Sequence, residues 1–226
     1  AARGALLVRM DAHATYAPDY IRRCVELLES TRAAAVGGMQ RHSGEGWVGG
    51  AIAAALGSRF AAGDAVYRTA REPRWTDTVY LGAWRTETVR AVGGWDEAWL
   101  VNEDYEFNLR LREWHRRHAG TDEAILYSPD IRSAYFGRQG LAALARQYFR
   151  YGYWKAGTVR RHPDATRWRQ LVPPAFVAAL VVSLLVLPWT PLPLAVLGGA
   201  WAIGAALAAL ATAARRGWRF LPLLPV

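Results

Sequence analysis

Cysteine and lysine are almost missing from this chain: of its 226 residues, one is a cysteine, Cys24, and one is a lysine, Lys155. A single thiol excludes an intrachain disulfide and any zinc site built on several cysteines, and it suits a reducing compartment. With so little lysine, the formal net charge of +9 rests on arginine, a balance that favours anionic partners such as phosphates, nucleic acid or acidic lipid headgroups. No groove-reading motif accompanies the arginines, which sets nucleic acid aside. A serine nucleophile elbow, a Walker phosphate loop and a dinucleotide fingerprint are also absent, so hydrolase, nucleotide-triphosphatase and dehydrogenase readings have no support. No signal peptide opens the chain. It begins Ala1-Ala2-Arg3 without methionine and enters an apolar run at once, so it is expected to start inside a longer protein.

The absence of charge is also local. Between Arg169 and Arg215 there is no Asp, Glu, Lys or Arg. Within that gap Pro173 to Leu187 is an apolar run of marginal spanning length, Pro188-Trp189-Thr190-Pro191 punctuates it, and Leu192 to Ala214 exceeds the roughly 20 residues a membrane span needs. A membrane hairpin is expected, with a buried helical pair in a soluble protein as the alternative. Arg167 and Arg169 before it, and Arg215, Arg216 and Arg219 after it, would place both ends in the cytoplasm by the positive-inside tendency.

What is present before the gap reads as α/β, with short apolar strands alternating with helical segments. Ala5 to Met10 predicts a buried strand ending at Asp11, and Pro18 opens a helix with the face Ile21, Cys24, Val25 and Leu28. Further strands are expected at Ala34 to Met39, Asp77 to Leu81 and Ile125 to Ser128, with a turn at Gly82-Ala83-Trp84-Arg85. Helices are expected at Trp47 to Phe60 and at Glu103 to Arg117, the latter with Tyr105, Leu109 and Arg112 inward. Leu141 to Lys155 carries aromatic and basic residues at helical spacing, which suits an interfacial helix as well as an ordinary amphipathic one. The domain division that follows is 1–145, 146–170 and 171–226.

Three constellations could carry chemistry. Asp11-Ala12-His13 follows a strand, where period-2 alternation presents Asp11 and His13 on one side as candidate ligands for a divalent metal, or as simple turn formers. Glu103 and Asp104 open a helix, where carboxylates serve either the helix dipole or general-base catalysis. Gln147 and Arg150, three residues apart on one helix face, could grip a diphosphate or a sugar, or be solvated surface.

Taken in order, Asp11-Ala-His13, Gly82-Ala-Trp-Arg85, Val92-Gly-Gly-Trp-Asp96, Glu103-Asp104-Tyr-Glu-Phe-Asn-Leu-Arg-Leu-Arg112 and Arg146-Gln-Tyr-Phe-Arg-Tyr-Gly-Tyr-Trp-Lys155 resemble glycosyltransferase family 2, and within it the membrane-associated glucosyltransferases of succinoglycan-type exopolysaccharide synthesis. The resemblance covers roughly residues 5 to 170. It implies part of a GT-A domain followed by an interfacial helix and a transmembrane hairpin. It also implies an inverting, metal-dependent transfer of a sugar, glucose from UDP-glucose, to a polyprenyl-diphosphate-linked saccharide, with the catalytic part on the cytoplasmic side of the inner or plasma membrane. Asp11, with His13 in place of the family's second Asp, would hold Mg²⁺ or Mn²⁺. Asp104 would be the general base with Glu103 in support. Trp84, Arg85, Gln147, Arg150 and Tyr151, which replaces a family tryptophan, would serve donor and acceptor binding. Only ten residues precede Asp11, where the family carries its nucleoside-binding units, so an N-terminally truncated and by itself inactive member is expected. The alternative is a non-catalytic, membrane-anchored module for acceptor binding or assembly.

Overall fold

The computed structural model describes residues 3–63, 65–162 and 168–223. Its strands are β1 (Leu6–Arg9), β2 (Ala14–Tyr16), β3 (Ala35–Ser43), β4 (Arg74–Thr76), β5 (Tyr80–Arg85) and β6 (Ile125–Phe136). Its helices are α1 (Tyr20–Ser30), α2 (Gly46–Leu56), the single turns α3 (Arg59–Ala62) and α4 (Val66–Thr69), then α5 (Thr86–Val92), α6 (Glu103–Ala119), α7 (Leu141–Arg161), α8 (Trp168–Val186) and α9 (Leu192–Arg216). One mixed sheet runs in the order β1-β5-β3-β6-β2, and β4 also pairs with β6. β3 and β6 are parallel; the other pairings are antiparallel.

Strand alternation sorts the core onto the two faces of this sheet. Ala35, Trp84, Ile125 and Tyr127 meet Phe107 and Leu111 of α6 on one face. Val36, Ala83 and Leu126 meet Tyr20, Cys24 and Leu28 of α1 on the other. Burial pushes the Cys24 thiol up to about 12, so this thiol is core filling and not a nucleophile.

Several expectations are corrected here. Gly82-Ala83-Trp84-Arg85 is no turn: it is the body of β5, inside the sheet. The bend is a local irregularity within β5, at Leu81 (φ 58°) and Gly82 (φ 139°), where the register with β3 shifts. α1 turns Tyr20, Cys24 and Leu28 inward and leaves Ile21 half exposed, because the i, i+4, i+8 stripe starts one residue earlier. In α6 the inward residues are Phe107, Asn108, Leu111 and His115, with Tyr105, Leu109 and Arg112 only partly covered. Glu106 also goes inward because Arg110 grips it at 2.7 and 2.8 Å. The boundaries 145/146 and 170/171 fall inside α7 and α8, since a change in composition does not mark a helix end.

Of the described helices, one is long and apolar enough to cross a membrane, Leu192–Arg215. The apolar part of α8, Gln170–Val186, is shorter than a span requires. α8 and α9 pack against each other, and α9 also touches α2. A 3₁₀ segment, Trp218–Leu223, returns to α2, where the Trp47 indole donates to the Arg219 carbonyl at 2.6 Å. Of the arginines flanking the hairpin, Arg167 lies outside the described residues.

Candidate active site

The end of β1 and the start of α6 meet. Arg9, the last residue of β1, extends its guanidinium to 3.3 Å from Asp11 Oδ1 and 3.2 Å from Glu103 Oε1, and it also bonds Asp104 Oδ1 across 95 residues of sequence. These four side chains keep between 20% and 38% of their surface exposed, so the cluster is partly sheltered and still open to a ligand.

The approach of α6 to β1 is built by aromatic packing. Arg9 lies opposite Gly82 on β5. A Cβ at Gly82 would fall 2.7 Å from the Trp84 ring, so glycine allows both the left-handed backbone and the close passage of that ring. Trp84, 2% exposed, meets Trp95 edge-on at 5.3 Å and Phe107 at 5.9 Å, and Trp95 stacks on Phe107 at 4.5 Å. Phe107 stands one turn beyond Glu103 and Asp104, so this trio sets where the two carboxylates start. Asn102 precedes them in the left-handed region (φ 65°) and makes no side-chain capping bond. Glu103 and Asp104 both turn to Arg9.

On the other side, Tyr16 of β2 holds the Asp11 backbone. Its hydroxyl accepts from the Asp11 N–H at 2.5 Å and donates to the Asp11 carbonyl at 3.1 Å. Asp104 has an unusual acidity for an aspartate. Burial pushes its carboxyl up to about 6, Arg9 opposes that rise, and the charges of Glu103 and Asp11 add to it. Burial works against the charge on Arg9, but Asp104, Asp11 and Glu103 outweigh it and raise its pKa. A carboxylate that titrates near 6 and sits at an open cluster is suited to accept a proton near neutral pH.

The remaining predicted site residues are placed differently. Trp84 is core, and the Arg85 guanidinium donates to the carbonyls of Ala33, at 3.1 Å, and Leu28, so both build the scaffold under the site. His13 is exposed, with its ring edge-on to Tyr135 at 5.0 Å. Gln147 donates to the Tyr151 hydroxyl at 2.7 Å, and Arg150 is exposed on α7. The Asn102 amide lies 3.5 Å from the Tyr151 carbonyl, which brings α7 beside the opening of α6. Further along α7, Trp154 packs on Trp99, the Lys155 ammonium sits 3.6 Å from the Tyr105 ring centre, and Arg161 pairs with Asp96 at 3.0 Å.

The metal expectation meets a difficulty. Among the described residues no three His, Cys, Asp or Glu side chains converge where an ion could sit. Asp11 faces Arg9 while His13 packs on Tyr135. The side chains as placed do not fit a preformed Mg²⁺ or Mn²⁺ centre. A cavity of about 640 Å³ lies away from this cluster, between α6 and the end of α7. Of its arginines, Arg110, Arg116, Arg117 and Arg161 are already paired to carboxylates, so it offers less charge than its lining suggests.

Arg9 and Tyr16 were not anticipated from the sequence. The signal for Arg9 was there: a lone charge in an apolar strand, two residues before Asp11 and so on the same side of the chain. Tyr16 gave no signal, because three-residue strands do not show periodicity.

No family model matches the chain. The chain is similar to the succinoglycan biosynthesis protein ExoA of Rhizobium meliloti (strain 1021), at 33% identity over 167 residues. The match covers 74% of this chain and 48% of that protein, so the chain spans about half the length of the relative.

Proposed function

We propose that this chain is the acceptor-side part of an inverting family 2 glycosyltransferase, which moves a sugar from a nucleotide donor of the UDP-glucose class to a polyprenyl-diphosphate-linked saccharide in exopolysaccharide synthesis. The observation that carries the proposal is that Asp11, Glu103 and Asp104, from two distant parts of the chain, all pair with Arg9 at a partly exposed place. The similarity to a succinoglycan biosynthesis protein supports the pathway class.

In the proposed reaction Arg9 engages Oδ1 of Asp104, and the other carboxylate oxygen takes the proton of the acceptor hydroxyl. The hydroxyl oxygen forms its bond to the anomeric carbon as the bond to the nucleoside diphosphate breaks, and the electron pair leaves with the diphosphate. Attack opposite the leaving group inverts the configuration. Gln147 and Arg150 are the proposed contacts to the diphosphate and the acceptor, and Tyr151, held by Gln147, shapes that edge.

The membrane is the proposed site of action. α9 has the length and composition of a span, and α7 exposes Tyr148, Phe149 and Tyr153 beside Arg146 and Arg150, the mixture that favours a headgroup layer. The test is transfer from UDP-[¹⁴C]glucose into extractable lipid in membranes containing the full protein. Asp104→Asn keeps the shape but cannot accept the proton, so turnover is expected to fall by about 10² or more while donor binding persists. Turnover at the level of the unsubstituted protein would remove Asp104 as the base and, with it, the catalytic reading of the cluster.

A further inference from the structure

We propose that α7 lies in the plane of the membrane surface against an acidic leaflet and grips its phosphate headgroups through one outer stripe, Arg146, Phe149, Tyr153 and Arg160. The proposal rests on the membrane reading of α9 and adds the charge of the lipid and the side chains that meet it. Charge is divided unevenly along the chain. Residues 1–130 carry 16 basic residues against 18 acidic ones, whereas residues 131–226 carry 12 basic residues against the single acid Asp164. The net charge is therefore −2 in the first stretch and +11 in the second, so the basic excess lies entirely after Asp130. α7 itself has no Asp or Glu.

The helix has two distinct sides. Inward, Trp154 packs on Trp99, Lys155 sits over the Tyr105 ring and Thr158 is buried. Outward, Ala142, Arg146, Phe149, Tyr153, Ala156 and Arg160 follow at alternating spacings of four and three residues, which is one face of a helix. All six are exposed, Phe149 at 77% and Tyr153 at 72%. A face that is aromatic at its centre and basic at both ends suits neither bulk water nor the hydrocarbon core. It matches the boundary between them, where rings lie among the upper acyl chains and guanidiniums reach phosphate oxygens. Two rings bury too little area to hold the helix there, so the arginines decide the strength of the contact and the lipid has to be acidic. α7 leads through α8 into α9, which keeps the stripe within reach of the bilayer that α9 enters. This continuity favours lipid over an acidic protein as the occupant.

The experiment is nitroxide accessibility in the chain reconstituted in bilayer nanodiscs, with neither donor nor acceptor present. Cys24 is fully buried, so the label goes to an introduced cysteine: Ala156→Cys on the stripe, or Ile203→Cys on α9. Neutral NiEDDA is the aqueous relaxer. When phosphatidylcholine is replaced by a mixture with about 30% phosphatidylglycerol, its access to position 156 is expected to fall at least about threefold. Arg146→Gln combined with Arg160→Gln should abolish that fall, and so should about 0.5 M salt, an arm that needs no substitution in the stripe arginines. The label at position 203 should be shielded in every mixture. An unshielded label there overturns the reading of α9 as a span, and this proposal with it. With position 203 shielded, equal access at position 156 in both lipids, or a fall that survives the loss of both arginines, overturns this proposal alone. Spin–spin broadening at position 156 in neutral lipid would place a second copy on the stripe and overturn it as well.

Discussion

The α/β part and the helices that follow it use similar apolar residues in opposite ways. In the first, Leu28, Val36, Phe107, Leu111 and Ile125 are sealed between a sheet and its helices. In the second, Leu185, Val196, Ile203 and Leu207 stand more than 60% exposed on α8 and α9. Large apolar side chains left bare over two helices mark a surface that something apolar covers. Charge follows the same division. The α/β part spends its carboxylates on arginines, at Arg9, Arg23, Arg110 and Arg116, whereas residues 170–214 carry no Asp, Glu, Lys or Arg at all. One part is built to fold in water around a site, and the other has the composition to sit in lipid.

The sharpest way to break this comparison is a charge in the second region. Ile203, 63% exposed near the middle of α9, replaced by Asp should make insertion of that helix less favourable by about 4 kcal/mol. Carbonate washing of membranes is expected to retain the unsubstituted chain and release or lose the variant. Equal retention would mean that α9 does not anchor the chain. A milder pair of substitutions compares like with like. Leu28→Ala, at a fully buried position, should cost about 3 kcal/mol of stability. Leu207→Ala, 63% exposed on α9, should cost less than about 0.5 kcal/mol in detergent. Thermal unfolding of both in one detergent is the measurement, and equal losses would show that α9 is packed as a core helix.

The same division explains what could be read in advance. Long elements with strong patterns were legible: α6 and α9 lie where periodicity and composition place them, and the strand before Asp11 is there too, although β1 is a half-buried edge strand and not the buried one expected. The misses cluster where one local signal outweighed another. Gly82 suggested a turn, but the bend it permits is an irregularity inside β5, where the register with β3 shifts, and the buried residues Ala83 and Trp84 continue the sheet. A strand was expected only from Ile125 to Ser128, yet β6 runs on through Pro129 to Phe136, and the parallel register with β3 shifts there between Gly38 and Met39 to absorb the extra residues. β2 was too short to show any pattern. At the site, the carboxylates were legible as types at particular positions. Their meeting was not, because it depends on Trp84, Trp95 and Phe107 setting the position of α6. Arg9 was visible only as an oddity in an apolar strand.

The smallest expected effect sharpens the comparison through pH. Residues 170–214 contain no titrating carboxylate or arginine, so pH-dependent stability arises mainly in the α/β part, where Asp104 and three other aspartates act in opposite directions. Asp19, Asp96 and Asp122 are held below the usual aspartate range by hydrogen bonds and by arginines. What they contribute to stability is present above the unfolded pKa and lost as the solution is acidified. Asp104 is raised to about 6, with burial the leading cause, so its sign is reversed. The folded state holds this proton where the unfolded chain, with a pKa of about 3.9, has released it. The contribution is therefore full below about pH 4, is lost as pH rises to about 6, and is constant above that. Asp104→Asn removes this contribution and leaves the other three in place. The melting temperature of the unsubstituted chain minus that of Asp104→Asn should fall between pH 4 and pH 6, by about 1–3 °C because the side chain is partly exposed, and be flat from pH 7 to pH 8. A difference that instead rises with pH would mean that Asp104 is stabilised as a carboxylate by Arg9 more than burial opposes it. The cluster would then be an ion-pair device, and its base would have to be sought elsewhere.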